Sequence, residues 1–190
     1  MIYLASSSPR RRKILKGLGV RFKIILPDYY EKPLHVAPAK LVRAHALGKA
    51  LSVVPLIKEG KILSADTIVY FRRKIIGKPA HQKDAVRILG SLQGQWHEVY
   101  TGAAVLTIKE GKIKKKVVLM EKSKVFIRPM SRKKILNYFK KINPLDKAGA
   151  YAIQSQRASI VQEVKGSFFN VAGLPVERLR KHLKDYLFDK

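Results

Sequence analysis

Apolar residues recur along this chain at two spacings, and the alternation between them predicts its elements. Strand-length apolar runs stand at Met1 to Ala5, Phe22 to Leu26, Lys61 to Tyr70, Lys124 to Ile127 and Ser159 to Val164, with a short run at Ile75-Ile76. Ala103 to Ile108 and Ile113 to Met120 read as an antiparallel pair joined by the turn Lys109-Glu110-Gly111-Lys112. Helical spacing appears five times. A helix opening at a Ser8 side-chain cap and Pro9 buries Ile14, Leu15 and Leu18 and stops at Gly19. Pro38 to Leu51 buries Leu41, Val42, Ala46 and Leu47, and Asp84 to Leu92 buries Ala85, Ile88, Leu89 and Leu92. Ser131 caps a helix burying Ile135, Leu136 and Phe139, and a last helix, Pro175 to Leu187, buries Val176, Leu179, Leu183 and Tyr186.

Length and composition narrow the class. With 190 residues the chain has enough material for one domain or a domain with a lobe. It has no cysteine, which excludes disulfides and thiolate metal sites and fits a reducing compartment. No run approaches the roughly 20 apolar residues of a membrane span. The basic cluster Arg10-Arg11-Arg12-Lys13 follows the first strand, so it does not head a signal sequence. A cytoplasmic protein with no membrane contact is expected. The net charge of +27, from 40 Lys and Arg against 13 Asp and Glu, draws polyanions: nucleic acid, an anionic membrane surface or a highly charged small substrate. The bases are spread over the whole chain, without an RNA-recognition aromatic motif or zinc-finger spacing, so nucleic acid is expected to be a secondary partner.

Several stretches carry candidate chemistry. Asp66 is a single acid in the apolar run Lys61 to Tyr70, and an unpaired charge is costly to bury, so it is expected where a strand end opens into a cleft. A polar residue at a bend would explain it equally. Ser6-Ser7-Ser8-Pro9 leads from a strand into a helix whose first turn carries Arg10 and Arg11, cations that the helix dipole disfavours unless an anion such as phosphate sits there; an ordinary capped helix with a solvated basic face is the alternative. Glu31, with Asp28 nearby, is a candidate second carboxylate in a proline-bounded loop. Lys49 ends a helix, where the dipole also welcomes it. Lys78, between Gly77 and Pro79, is either aimed at phosphate or solvated. Asp146, Lys147 and Gln154 stand in a stretch whose Ala and Gly allow close backbone approach to a ligand. His97 is read as structural, since no histidine pair has metal-ligand spacing.

Together these stretches resemble the Maf-type nucleoside triphosphate pyrophosphatases. The matching residues, in the family's order, are Leu4 to Arg11, Ser64-Ala65-Asp66-Thr67-Ile68-Val69, Gly77-Lys78-Pro79, His97 to Gly102, Asp146 to Gln154, and Gly166-Ser167-Phe168 with Val171 to Val176. The resemblance implies an α/β fold with a mixed, elongated, twisted sheet and flanking helices, akin to inosine triphosphatases. It implies one domain over residues 1–190, with two lobes enclosing a nucleotide cleft. It implies hydrolysis of a nucleoside triphosphate to the monophosphate and pyrophosphate with Mg²⁺, Mn²⁺ or Co²⁺, in a protein that also forms homodimers in some cases. In family terms Asp66 is the base. Ser6, Arg10 and Arg11 hold phosphate, Glu31 and Asp66 bind the metal, and Lys49 and Lys78 grip the polyphosphate. Lys147 and Gln154 resemble the branch acting on dTTP and UTP, with Arg10, Thr67 and Gln154 setting specificity; a glutamine amide offers the donor and acceptor that a thymine or uracil edge requires. Asn143, Ser7 and Ala152 depart from the family pattern, and Asp28 replaces Glu31 as metal carboxylate if the loop before Pro33 is aligned differently. The competing expectation is a basic nucleic-acid or cell-division partner protein with a vestigial cleft.

Overall fold

The computed structural model describes residues 1–32, 36–153 and 160–183. Its strands are β1 (Ile2–Ala5), β2 (Phe22–Ile25), β3 (Gly60–Phe71), β4 (Lys74–Ile76), β5 (Trp96–Lys109), β6 (Lys112–Ile127) and β7 (Val161–Lys165). Its α-helices are α1 (Pro9–Gly17), α2 (Pro38–Ser52), α3 (Gln82–Leu92), α4 (Arg132–Phe139), α5 (Phe168–Ala172) and α6 (Val176–Leu179). The strands form one mixed sheet in the order β2-β1-β3-β5-β6-β7, with β4 paired to β3. The mixed α/β architecture implied by the resemblance is the one found. Among the described residues no helix is long and apolar enough to cross a membrane.

The chain forms two compact units, described separately. The first comprises Met1–Asp66, Thr101–Glu121 and the chain from Gly173 onward. Here β1 lies between β2 and β3 and is parallel to both. α1 ends in a glycine cap: Gly19 adopts φ +72°, Val20 N–H donates to Leu15 O and Gly19 N–H to Lys16 O. The core gathers Ala5, Ala46, Ala50, Ile62, Ala104, Leu106 and Ile108, with the small residues letting α2 lie close on the strands. Ser64 Oγ donates to Ala46 O at 2.5 Å. Gly102 is required for the same approach, because a Cβ there would stand 2.2 Å from Val42 O of α2. Gly102→Ala should therefore cost about 1–3 kcal/mol by overpacking. Its urea midpoint should fall at unchanged slope, and an unchanged midpoint would mean that α2 shifts off β5 without cost.

The second unit comprises Thr67–Tyr100 and Lys122–Ala172. The β3–β4 hairpin turns at Arg72 and Arg73, with φ of 47° and 62°, the positive pair that a tight two-residue turn needs. Leu89, Leu92, Val99, Val125, Ile127, Ile135 and Tyr138 form its core. A buried polar network ties α5 to the sheet: Asn170 Nδ2 donates to Val99 O at 3.1 Å and to Ser123 Oγ at 2.9 Å, and Ser123 Oγ donates to Ser167 O at 3.0 Å. The Gly166-Ser167-Phe168 motif is thus structural within this unit.

Several expectations need correction. Ser8 makes no side-chain cap; its N–H donates to Ser6 Oγ instead. Trp96 to Ile108 is one strand, and the runs at Ile113 to Met120 and Lys124 to Ile127 belong to one strand as well. Across the junction of those two runs exposure alternates: Lys122 and Lys124 face solvent while Ser123 and Val125 face the core, which continues the strand. In α4 the buried residues are Ile135 and Tyr138, and Leu136 is exposed. β7 runs from Val161 to Lys165, and Ser159 lies outside the described residues. The last helix is short, since α6 passes into a 3₁₀ turn at Arg180–His182, and Tyr186 lies outside the described residues. Asp66 lies inside a strand, not at its end.

Candidate active site

The first unit builds a charged site at the carboxyl end of β1. The chain runs from β1 through α1 to β2 on one side and returns through α2 to β3 on the other, so its connections diverge between β1 and β3, where α/β sheets open crevices. The last β1–β3 pair is Ala5 with Ser64. Beyond it β1 turns away at Ser6 while β3 continues to Asp66, which is thereby left without a strand neighbour on that side before β4 begins pairing at Val69. The reason to expect Asp66 at an opening thus survives, although the strand that ends there is β1.

Lys49 reaches this point from α2. The buried face of α2 consists of two helical rows, Leu41, His45, Lys49 and Val42, Ala46, Ala50, each spaced by four. The second row packs into the core and the first carries Lys49 alongside it. Lys49 Nζ lies 2.6 Å from Asp66 Oδ1 and 2.6 Å from Glu31 Oε1. Asp66 is 5% exposed and Lys49 8%, so this ammonium bridges one buried and one accessible carboxylate. Asp66 Oδ2 is buried and has no hydrogen-bond partner among the described residues.

Arg11 supplies a second cation. Its Nη1 donates to Ser6 Oγ at 3.1 Å and its Nε to Gly173 O at 2.8 Å. The Ser6 hydroxyl oxygen also accepts from Ser8 N–H, so it orients both the turn and the guanidinium. Burial lowers the Arg11 pKa to about 10 against the opposing pull of Asp66, with Arg10 lowering it further and Glu31 raising it. Arg11 stays charged at neutral pH. It lies within the field of both acids, which relieves part of the repulsion among cations in the first turn of α1.

Two residues that sequence reasoning missed hold the Glu31 loop. Tyr29 shares a hydrogen bond with His45 Nδ1 at 3.0 Å, and its ring lies against Gly48, where a Cβ would stand 2.1 Å from the ring. Burial first, then Asp66 and Glu31, push the Tyr29 hydroxyl pKa up. A tyrosine in a proline-bounded loop has no periodicity to mark it, and the only signal was a glycine inside a predicted helix. Asp28 is exposed, whereas Glu31 reaches Lys49.

The other predicted residues belong to the second unit. Gly149 N–H donates to Gly77 O at 3.2 Å, which sets the loop carrying exposed Lys78 beside the loop from Asp146 to Ile153. Lys147 is buried and its Nζ donates to Asn143 O at 2.7 Å and to Asp146 Oδ1. Thr67 follows Asp66 on β3 and is half-buried. Gln154 lies outside the described residues.

The site offers carboxylate oxygens to a cation. Asp66 Oδ2 has an open lone pair and Glu31 converges on the same ammonium as Asp66. Among the described residues no group of three His, Cys, Asp or Glu could hold a metal alone. Two carboxylates suit a hard ion such as Mg²⁺ or Mn²⁺ whose shell phosphate oxygens and water complete.

Comparison with known proteins agrees across the chain. The family described as Maf-like protein matches residues 1–186. A relative from Carboxydothermus hydrogenoformans named dTTP/UTP pyrophosphatase is 40% identical, with 97% of this chain and 98% of that protein covered. One of the same name from Gloeobacter violaceus is 41% identical over 97% of this chain and 95% of its own. Among solved structures, the Staphylococcus aureus Ham1 protein is similar at a TM-score of 0.52 and 13% identity, covering 97% of this chain and 98% of that one, a likeness of fold.

Proposed function

The chain belongs to the Maf-like family, and from that membership we propose that it is a nucleoside triphosphate pyrophosphatase acting on dTTP and UTP. The full-length relatives so named support the substrate class. The single observation that carries the chemistry is the buried Asp66 carboxylate, with one oxygen held by Lys49 and the other unpartnered among the described residues.

In this reading Asp66 Oδ2 takes a proton from a water whose oxygen bonds to the α-phosphorus. The bond from that phosphorus to the bridging oxygen of the β-phosphate breaks, and pyrophosphate leaves with the electron pair. Lys49 fixes the carboxylate through Oδ1 and adds positive charge beside it. Arg11 and the Ser6 hydroxyl bind phosphate oxygens, and Arg10 adds to the cationic end of α1. Such chemistry asks mainly for positioning and charge neutralisation, which these groups supply. A divalent ion held by Asp66 and Glu31 would neutralise phosphate charge. The roles of Thr67, Lys78, Lys147 and Gln154 rest on the family resemblance alone.

The test is product analysis over a panel of triphosphates with Mg²⁺ or Mn²⁺ in ¹⁸O-labelled water. Pyrophosphate should appear from dTTP and UTP ahead of purine triphosphates, with ¹⁸O in the monophosphate. Release of inorganic phosphate and a diphosphate, label in the pyrophosphate, or no turnover across the panel would each overturn the reading.

A further inference from the structure

A second charged surface lies within the second unit and uses none of the candidate active-site residues. Its strands turn alternate residues toward the core and toward solvent. On β5, His97 and Val99 are buried while Trp96, Glu98 and Tyr100 are accessible; on β6, Val125 and Ile127 are buried while Lys122 and Lys124 are exposed and Phe126 is half-exposed. An open cavity of about 370 Å³ on this surface is lined by Trp96, His97, Glu98, Lys124 and Lys165.

Cations and aromatic rings interleave here. Trp96 packs on Phe126 with 5.4 Å between ring centroids, and Lys165 Nζ stands 4.7 Å from the Trp96 ring. Lys122 Nζ stands 5.8 Å from the Tyr100 ring. The β6–β7 register sets Lys124 directly opposite Lys165, an arrangement of like charges that destabilises a sheet. Two acids share the surface. Glu98 accepts from Tyr100 Oη at 2.7 Å and Lys122 Nζ at 3.0 Å, and Glu163 lies 3.7 Å from Lys165. Glu98 also lies within the field of Lys124, so the two acids offset part of the charge of the three lysines and leave the cations in excess. Lys122 and Lys124 stand about 7 Å apart along β6, so the cations form a track rather than a point.

We infer that this face binds single-stranded nucleic acid, with Trp96 stacking a base and Lys122, Lys124 and Lys165 meeting successive backbone phosphates. A polyanion relieves the opposed lysines and an unpaired base covers the aromatic platform, which is the combination by which sheet surfaces hold single strands. A duplex offers phosphates but keeps its bases stacked on one another. The net charge of +27 raises the local concentration of any such strand. This surface is independent of the hydrolytic reading.

Trp96 is the only tryptophan, so its fluorescence reports on this site alone. Titration with a fifteen-residue oligo(dT) strand should quench it, and added KCl should reverse the effect. Labelled-strand anisotropy should show about tenfold weaker binding for Trp96→Ala. Lys124→Glu/Lys165→Glu should lose at least tenfold, with a salt slope shallower by about 1.4. Lys13→Glu/Lys16→Glu makes the same charge change at exposed positions on α1 and should lose less than threefold. Absence of quenching in the unaltered protein, equal losses in both double variants, or quenching by dTMP as strong as by the strand at equal nucleotide concentration would each overturn the inference.

Discussion

Asp66→Asn should lower turnover of dTTP and UTP by about 10²- to 10⁴-fold, the range lost when a positioned base is removed, while leaving nucleotide affinity within a few-fold. Asparagine keeps the shape of the carboxylate but cannot take a proton from water. Lys49 would still pair with Glu31 at 2.6 Å, so the ammonium is not stranded. The loss of stability should therefore stay below the ~3–5 kcal/mol typical of breaking a buried pair outright. Removing one negative charge beside Arg11 and Lys49 also reduces repulsion of a triphosphate, so binding has no electrostatic reason to collapse. Single-turnover rates and calorimetric binding of a non-hydrolysable UTP analogue separate the two quantities. Unchanged turnover would remove Asp66 from the base role. Parallel collapse of binding and turnover would make it a ligand-holding residue instead.

Asp66 stands out in the chain alone because it breaks a local rule, a lone acid in an apolar run, and such breaks need no knowledge of distant contacts; its role as the base comes from the family resemblance. Lys49 was less legible, since a lysine at a helix end is explained by the dipole alone; its place in one row with Leu41 and His45 emerges only in the structure. Arg10 and Arg11 at a helix start were a conflict with the dipole, and the structure shows its local relief in the bonds from Arg11 to Ser6 and Gly173. Gly173 lies 162 positions from Arg11, and no periodicity reports such a partner. Tyr29 and His45 stayed hidden on the same grounds, being linked only through the tertiary fold. Strand continuity is hidden where Glu121-Lys122-Ser123 separates two apolar runs, because a polar stretch that alternates between solvent and core looks like a loop when only apolar residues are counted. The choice of Tyr138 over Leu136 in α4 follows from a specific partner, since Tyr138 Oη accepts from the buried Ala152 N–H at 2.9 Å. Composition alone favoured the leucine.

Acid should destabilise the protein through His97. The side chain is buried in the second unit with Nε2 at 2.8 Å from Tyr151 Oη, and burial, opposed by a backbone contact with Gln95, lowers its pKa from 6.5 to about 4. Between those values the unfolded chain binds a proton that the folded one does not, so stability falls as pH falls. The contribution is intact above pH 6.5, is reduced by about 2 kcal/mol at pH 5 and by about 3 kcal/mol near pH 4, where the folded side chain also begins to protonate. The sign is opposite to that of a histidine paired with an acid, whose stabilisation would be present at low pH and lost on raising it. Carboxylates add their own acid dependence, so the informative quantity is a difference between proteins. His97→Gln keeps a hydrogen-bonding group toward Tyr151 without titrating in this range. Urea unfolding at pH 7 and pH 5 should show the unaltered protein losing about 2 kcal/mol more than the variant. Equal losses would mean that His97 takes up its proton in the folded state as readily as in the unfolded one, and that its burial gives way to water on acidification.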